Sequence, residues 1–246
     1  LIGFFGRVSY SYKSRYNLLA SIRREGSSKF GTNNKWGNFP AVSVGWNISR
    51  EEFMENADFV NNLKLRAGYG ETGIIPDASY LSQSLFSYSS RAYLNGEWIR
   101  GLTPDLQGGN PNPDLRWEVS REFNFGLDFG FFNNRINGSL DVYHKRTKDL
   151  LFDYSVPTPP NLVGVTKANV GEMQNQGFEL LLNVNPVNTK DFSWDANITL
   201  SHNKNKLVSL SNDLYQIEGN YINYGTLSEP VSQITHRIEV GQPVSQ

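Results

Sequence analysis

The sequence predicts an all-β chain: an antiparallel, up-and-down transmembrane β-barrel segment of about eight or nine strands. Three observations predict it. Apolar residues recur with a period of two along most of the chain. Shorter connections alternate with longer ones, which in a meander puts all the short turns at one end of the sheet and all the long loops at the other. Aromatic residues gather where the strands meet the short turns, as in the girdle of a membrane interface.

The elements follow in order. In the first strand Phe4, Val8, Tyr10 and Tyr12 alternate with Arg7, Ser9 and Ser11, and Lys13-Ser14-Arg15 makes a tight turn. Tyr16, Leu18, Ala20 and Ile22 then alternate with Asn17, Ser21 and Arg23, and a polar loop rich in Gly, Ser and Asn covers 25–38. Val42, Val44, Trp46 and Ile48 oppose Ser43, Gly45 and Asn47 in the third strand. An intermediate connection over 50–61 is expected to hold one helical turn at Glu51–Asn56, with Ser49 as cap and Glu52 three residues on. Leu63, Leu65, Ala67 and Tyr69 against Lys64, Arg66, Gly68 and Gly70 give the fourth strand, and 71–114 reads as one very long loop. Phe123, Phe125, Leu127, Phe129 and Phe131 against Asn124, Gly126, Asp128 and Gly130 give the fifth, closed by Phe132-Asn133-Asn134. Ile136, Leu140 and Val142 against Asn137, Ser139, Asp141 and Tyr143 give the sixth, before a long loop at 152–170 with Pro157, Pro159 and Pro160. Phe178, Leu180, Leu182 and Val184 alternate with Glu179, Asn183 and Asn185, Leu181 breaking the polar set. After a short turn over 186–191, Trp194, Ala196, Ile198 and Leu200 alternate with Asp195, Asn197, Thr199 and Ser201. A long loop at 211–233 leads to a ninth strand near Ile234–Val240.

Composition narrows the function. The 246 residues carry 23 basic and 24 acidic side chains, so charge gives no case for nucleic acid. Without cysteine there is no disulfide, thiolate nucleophile or cysteine metal site. The pattern is already under way at Leu1-Ile2-Gly3-Phe4-Phe5 and has no terminator at Val244-Ser245-Gln246, so the chain is expected to be a piece of a longer protein.

Alternating strands fit a soluble sandwich with the apolar face inward or a membrane barrel with it outward. The second is favoured by aromatics at the short turns (Tyr12 and Tyr16, Phe131 and Phe132, Phe192 and Trp194) and by patterned segments over 115–131 and 135–151 that exceed ordinary soluble strands. On that reading Lys64, Arg66, Asp128, Asn137, Asp141 and Glu179 face the lumen or a plug. Tyr88, Tyr93 and Trp98, in the longest loop, are candidate substrate-binding residues, because exposed loop aromatics stack on sugar rings. The rival is a soluble or surface carbohydrate-binding β module without transport activity.

Other motifs dissolve on inspection. Gly68-Tyr69-Gly70-Glu71-Thr72-Gly73 matches G-x-G-x-x-G, but Ile74-Ile75-Pro76-Asp77 follows, not the helix whose N-terminus would meet a pyrophosphate. Gly68 and Gly70 are instead expected to permit close approach or strand curvature on the polar face. Asn47-Ile48-Ser49, Asn137-Gly138-Ser139 and Asn197-Ile198-Thr199 are sequons within strands, which read as chance. His144, His202 and His236 share no ligand spacing. No nucleophile–base pair stands out, so the chain reads as no enzyme, with no cofactor.

Longer motifs carry a resemblance. Arg15-Tyr16-Asn17-Leu18-Leu19-Ala20-Ser21-Ile22-Arg23-Arg24-Glu25-Gly26-Ser27-Ser28-Lys29-Phe30-Gly31 resembles the RYLLTASIRRDGSSRFG stretch of SusC/RagA-type TonB-linked outer-membrane transporters. Lys35-Trp36-Gly37-Asn38-Phe39-Pro40, Leu63–Gly73, Asn112-Pro113-Asp114-Leu115-Arg116-Trp117-Glu118, Gly126-Leu127-Asp128-Phe129-Gly130 and Asn175-Gln176-Gly177-Phe178-Glu179-Leu180 continue it over nearly the whole chain. The resemblance implies that residues 1–246 belong to the β-barrel domain of a TonB-dependent receptor. It implies a barrel of about 22 strands around a plug, a TonB contact outside this segment, a SusD-like surface lipoprotein partner, and a glycan or peptide ligand taken up across the outer membrane.

Overall fold

The computed structural model describes residues 1–105 and 109–244; Ser245 and Gln246, at the C-terminal end read above as interrupted, lie outside the described residues. Eight strands form one antiparallel sheet: β1 (Ile2–Tyr12), β2 (Tyr16–Gly26), β3 (Trp36–Asn47), β4 (Val60–Ile74), β7 (Glu118–Phe131), β8 (Ile136–Ser155), β9 (Val165–Asn188) and β10 (Ser193–Ser209), in the order β1-β2-β3-β4-β7-β8-β9-β10. The hairpin β5 (Leu85–Leu94) and β6 (Glu97–Asp105) is inserted between β4 and β7, and β11 (Tyr221–Thr226) pairs with β12 (Ile234–Glu239) after β10. Each sheet strand matches one expected from the period of two.

Several expectations change. The ninth strand does not join the sheet: β12 pairs with β11, and after it the chain returns to the sheet at Gly241 and Gln242, which exchange backbone hydrogen bonds with Leu207 of β10. Residues 71–114 are not one loop, because they finish β4 and fold the β5–β6 hairpin about Asn95-Gly96, both at positive φ, as a two-residue hairpin turn requires. The loop expected at 152–170 shrinks to 156–164, since β8 and β9 stay paired to Ser155 and Val165. The turn near Glu51 is two 3-10 turns, Ile48–Arg50 and Glu52–Met54; Ser49 lies inside the first, and neither has a side-chain cap. With those turns the 48–59 connection is longer than 27–35 or 156–164, so connections alternate by sheet end but not strictly by length.

The register sorts side chains into rows across the sheet. Tyr12, Tyr16, Trp46, Leu65, Leu127, Leu140, Leu180 and Leu200 are successive cross-strand partners. The row one residue away reads Ser11, Asn17, Gly45, Arg66, Gly126, Asp141, Glu179 and Ser201. A one-residue slip of any strand would exchange these faces, so the pattern specifies the register. On β8 the apolar face runs from Ile136 to His144, about 26 Å along the strand at ~3.3 Å per residue. Above it lies a charged row: Glu71, Arg121, Arg146 and Lys206, with Gln174 between the last two.

The buried core lies at the long-loop end. The β3–β4 ladder stops at Ala41 and Gly70. Beyond it Phe30, Phe39, Leu81, Leu115 and Trp117 pack into one cluster, with Phe30 and Phe39 ring centroids 4.8 and 5.2 Å from Trp117. A second cluster holds Tyr154, Ala168 and Val170, and the Tyr154 hydroxyl donates to the Leu210 carbonyl at 2.6 Å. A Cβ on Gly68 or Gly70 would meet nothing nearer than 3.9 or 3.7 Å, so close approach does not explain those two. At Gly73 a Cβ would stand 2.7 Å from the Trp117 ring and closer still to Phe39, so the third glycine of the motif makes room for the core.

Candidate functional site

Three regions carry candidate functional side chains: the polar face of the sheet, its turn end and its loop end. Of the six residues expected on the polar face, Lys64, Arg66, Asp128, Asn137, Asp141 and Glu179 all lie on it by register. Three of them meet. Arg66 donates through Nε and Nη2 to the two carboxylate oxygens of Asp128, both at 2.9 Å, and Nη2 also reaches Asp141 at 3.0 Å. Two parallel N–H···O bonds hold the guanidinium plane as well as its charge. The guanidinium lies over Gly126, where a Cβ would be 2.6 Å from Arg66 and from Asp141. Gly126 is therefore a member of this site that side-chain chemistry alone does not reveal.

The other three stand apart. Lys64 is the cross-strand partner of Asp128 but lies toward Gly45, whose Cβ position is 3.4 Å from the lysine stem. Asn137 accepts from Asn183 at 2.9 Å and donates to the Asn134 carbonyl at 2.8 Å. Glu179 sits opposite Asp141 and forms no ion pair among the described residues. The histidines are distributed over β8, β10 and β12. This face can hold hydrogen-bonding groups and water along its full height.

At the turn end, Glu51 accepts from the Trp46 indole at 2.8 Å and pairs with Arg15 at 3.2 Å. Hydrogen bonding to Tyr16 and Trp46, helped by Arg15 and Lys13, holds its carboxyl below the usual range. Phe59 stacks near Phe131 and Phe132, with centroids 6.3 and 6.0 Å away, and Tyr12, Tyr16, Phe192 and Trp194 are exposed. All of these but Phe59 are the residues expected as an aromatic girdle.

At the loop end, segments far apart in sequence are tied together. Gly31 N–H donates to the Leu115 carbonyl at 3.1 Å, Lys29 donates to the Pro76 and Asp77 carbonyls at 2.7 Å, and Asn169 bonds the Arg116 backbone both ways at 2.9 and 2.7 Å. The stretches Gly26–Gly31 and Asn112–Trp117, which carry much of the sequence resemblance, thus meet in one core. Glu118, half-buried here, has its carboxyl raised by desolvation, although it accepts from Leu151 N–H at 3.2 Å. The candidate substrate residues lie further out on the β5–β6 hairpin. Tyr93 and Trp98 are cross-strand partners with centroids 5.3 Å apart, and Tyr88 is exposed at the bulge between Ser87 and Ser90.

The fold and these residues can be compared with known proteins. A family model described as TonB dependent receptor-like, beta-barrel, matches residues 2–233. The chain belongs to this family. Among its relatives, TonB-dependent receptor P39 of Formosa agariphila is 38% identical over 213 residues, 87% of this chain and 20% of that protein. TonB-dependent receptor SusC of Bacteroides thetaiotaomicron is 36% identical over 232 residues, 92% of this chain and 23% of that one. The RagAB peptide importer in its closed-closed state superposes with a TM-score of 0.77 at 28% identity, covering 98% of this chain and 24% of the importer chain. The siderophore receptor PirA of Pseudomonas aeruginosa, at 14% identity and a TM-score of 0.51, shares the fold alone. The chain thus spans a fifth to a quarter of the length of P39, SusC and the RagAB importer chain. The all-β, antiparallel barrel-segment reading and the family resemblance both hold.

Proposed function

We propose that this chain is part of the barrel wall of a TonB-dependent importer in the outer membrane of a Gram-negative cell. In this reading the importer takes up an oligosaccharide or peptide with a SusD-like lipoprotein at its extracellular mouth, and it catalyses no covalent chemistry. The observation that carries the reading is the two-faced sheet: cross-strand rows that are apolar on one side and polar on the other. Spanning strands need every backbone group paired within the protein, so β1 and β10 would pair with further strands in a closed barrel. The apolar rows would meet lipid, and the rows holding Arg66, Asp128 and Asp141 would line the lumen and touch the plug. The long-loop end would be extracellular, and the turns at Lys13–Arg15 and Phe132–Asn134 periplasmic.

The test is energised uptake by the full-length protein in outer membranes. Cells with and without functional TonB are given fluorescent oligosaccharides and peptides. Accumulation that needs both this protein and TonB, with a lipoprotein co-purifying, is the expected result. Uptake indifferent to TonB, or recovery of the full-length protein from the soluble fraction, would overturn the proposal.

A further inference from the structure

The β5–β6 hairpin segregates its charges by face. On one side Arg91 and Arg100 are direct cross-strand partners, followed one row on by Tyr93 and Trp98. Phe86, Leu102 and Pro104 extend the same side. On the other, Glu97 and Asp105 are paired with Leu94 and Leu85. Only the base of the acidic side meets the body of the loops, where Leu85 and Asp105 line a cavity with Tyr80 and Leu81. The basic, aromatic side faces away, with Trp98 72% and Tyr93 62% exposed.

Like charges placed directly opposite each other destabilise a hairpin. Among the described residues neither Arg91 nor Arg100 has an acidic partner. Two guanidiniums side by side are also a fork for an oxyanion. Adjacent same-face rows are about 6–7 Å apart. That is the reach from the centre of a sugar ring stacked on Trp98 or Tyr93, through its own exocyclic acid group, to a guanidinium one hydrogen bond away.

We propose that this hairpin face binds an anionic saccharide. Trp98 and Tyr93 take the ring, and Arg91 and Arg100 take its carboxylate or sulfate. The inference rests on the importer reading and names its substrate class. An acidic peptide would satisfy the arginines, but its carboxylates ride on flexible aliphatic stems and leave the paired exposed rings unused.

The experiment uses full-length protein in detergent. Binding of a galacturonate tetrasaccharide, a chondroitin sulfate tetrasaccharide, neutral maltotetraose and an acidic hexapeptide is measured by calorimetry, for wild type, R91Q/R100Q and W98A. Intact barrel folding of each variant is verified by heat-modifiable gel mobility. The expected result is that at least one anionic saccharide binds, with R91Q/R100Q weakening it about tenfold or more and high salt doing the same. W98A should weaken that saccharide too. Binding of the galacturonate tetrasaccharide shows that a carboxylate suffices, whereas binding of chondroitin sulfate, which carries both groups, without the galacturonate shows that the sulfate is needed. Equal binding by wild type and R91Q/R100Q, binding of the acidic peptide alone, or no saccharide binding at all would overturn the inference. Failure of TonB-dependent uptake with anionic-saccharide binding intact would sink the importer reading and leave the hairpin site standing.

Discussion

The middle of the sheet and its long-loop end are built by different physics. In the middle, Val44, Leu65, Phe125, Val142 and Leu200 are exposed on one face, while the other face is polar. Among the described residues no buried hydrophobic cluster lies there. At the loop end Phe30, Leu115, Leu207 and Leu210 are fully buried, and polar groups such as Asn110, Asn112 and Asn169 are satisfied by backbone. That end is folded like a soluble protein. The lesson is that one sheet has two solvents: backbone closure and lipid would support its middle, whereas the hydrophobic effect of water supports its end.

The sharpest way to break this comparison is to empty the loop-end core. Trp117→Ala removes the ring between Phe30 and Phe39 and the indole bond to the Lys35 carbonyl at 3.2 Å. It is expected to cost about 3–5 kcal/mol of local stability. Hydrogen exchange should accelerate across 27–35 and 75–84 and stay unchanged at mid-sheet. Equal acceleration everywhere would mean the two regions are one cooperative unit.

Next comes a charge in the middle. Leu127→Arg in the full barrel should cost about 2–4 kcal/mol in lipid vesicles by denaturant titration. Its two neighbours in the row, Leu65 and Leu140, offer no acidic partner. Unchanged stability would remove the lipid-facing assignment of the row. Asp128→Asn, one residue away on the other face, should cost only about 0.5–1 kcal/mol, because the pair is partly exposed and Arg66 keeps Asp141.

The middle of the sheet was the legible region. A period of two with consistent polarity identifies each strand and its face without any partner, so Arg66, Asp128 and Asp141 could be placed together on one side before their contact was known. That contact itself needed Gly126, whose value is the absence of a side chain. The β5–β6 hairpin is hidden in the sequence although Asn95-Gly96 announces it, because both its faces carry apolar residues and the alternation is blurred. The ends of β8 and β9 read as loop in the sequence because Pro157, Pro159 and Pro160 are turn signals, but these prolines lie beyond the last paired residues. The loop-end core was illegible for a different reason: Phe30, Leu81 and Trp117 meet only through long-range contacts, which no local pattern encodes.

The smallest effect separates the two ends by pH. Glu118, at the loop end, has a carboxyl raised above 4.5 by desolvation. Between 4.5 and that raised value the folded state holds more protons than the unfolded, so stability falls as pH rises through the window. Glu51, at the turn end, has a carboxyl lowered from 4.5. Its contribution is present above 4.5 and is lost as pH falls through the lowered value. Mild acidification should therefore firm the loop end first, and stronger acidification should loosen the turn end. Thermal melts across this range should show Glu118→Gln flattening the limb above 4.5, and Glu51→Gln flattening only the limb below it. If Glu118→Gln instead altered the lower limb, the carboxylate at the loop end would be paired rather than desolvated, and that end would owe less to a water-excluding core than its buried side chains indicate.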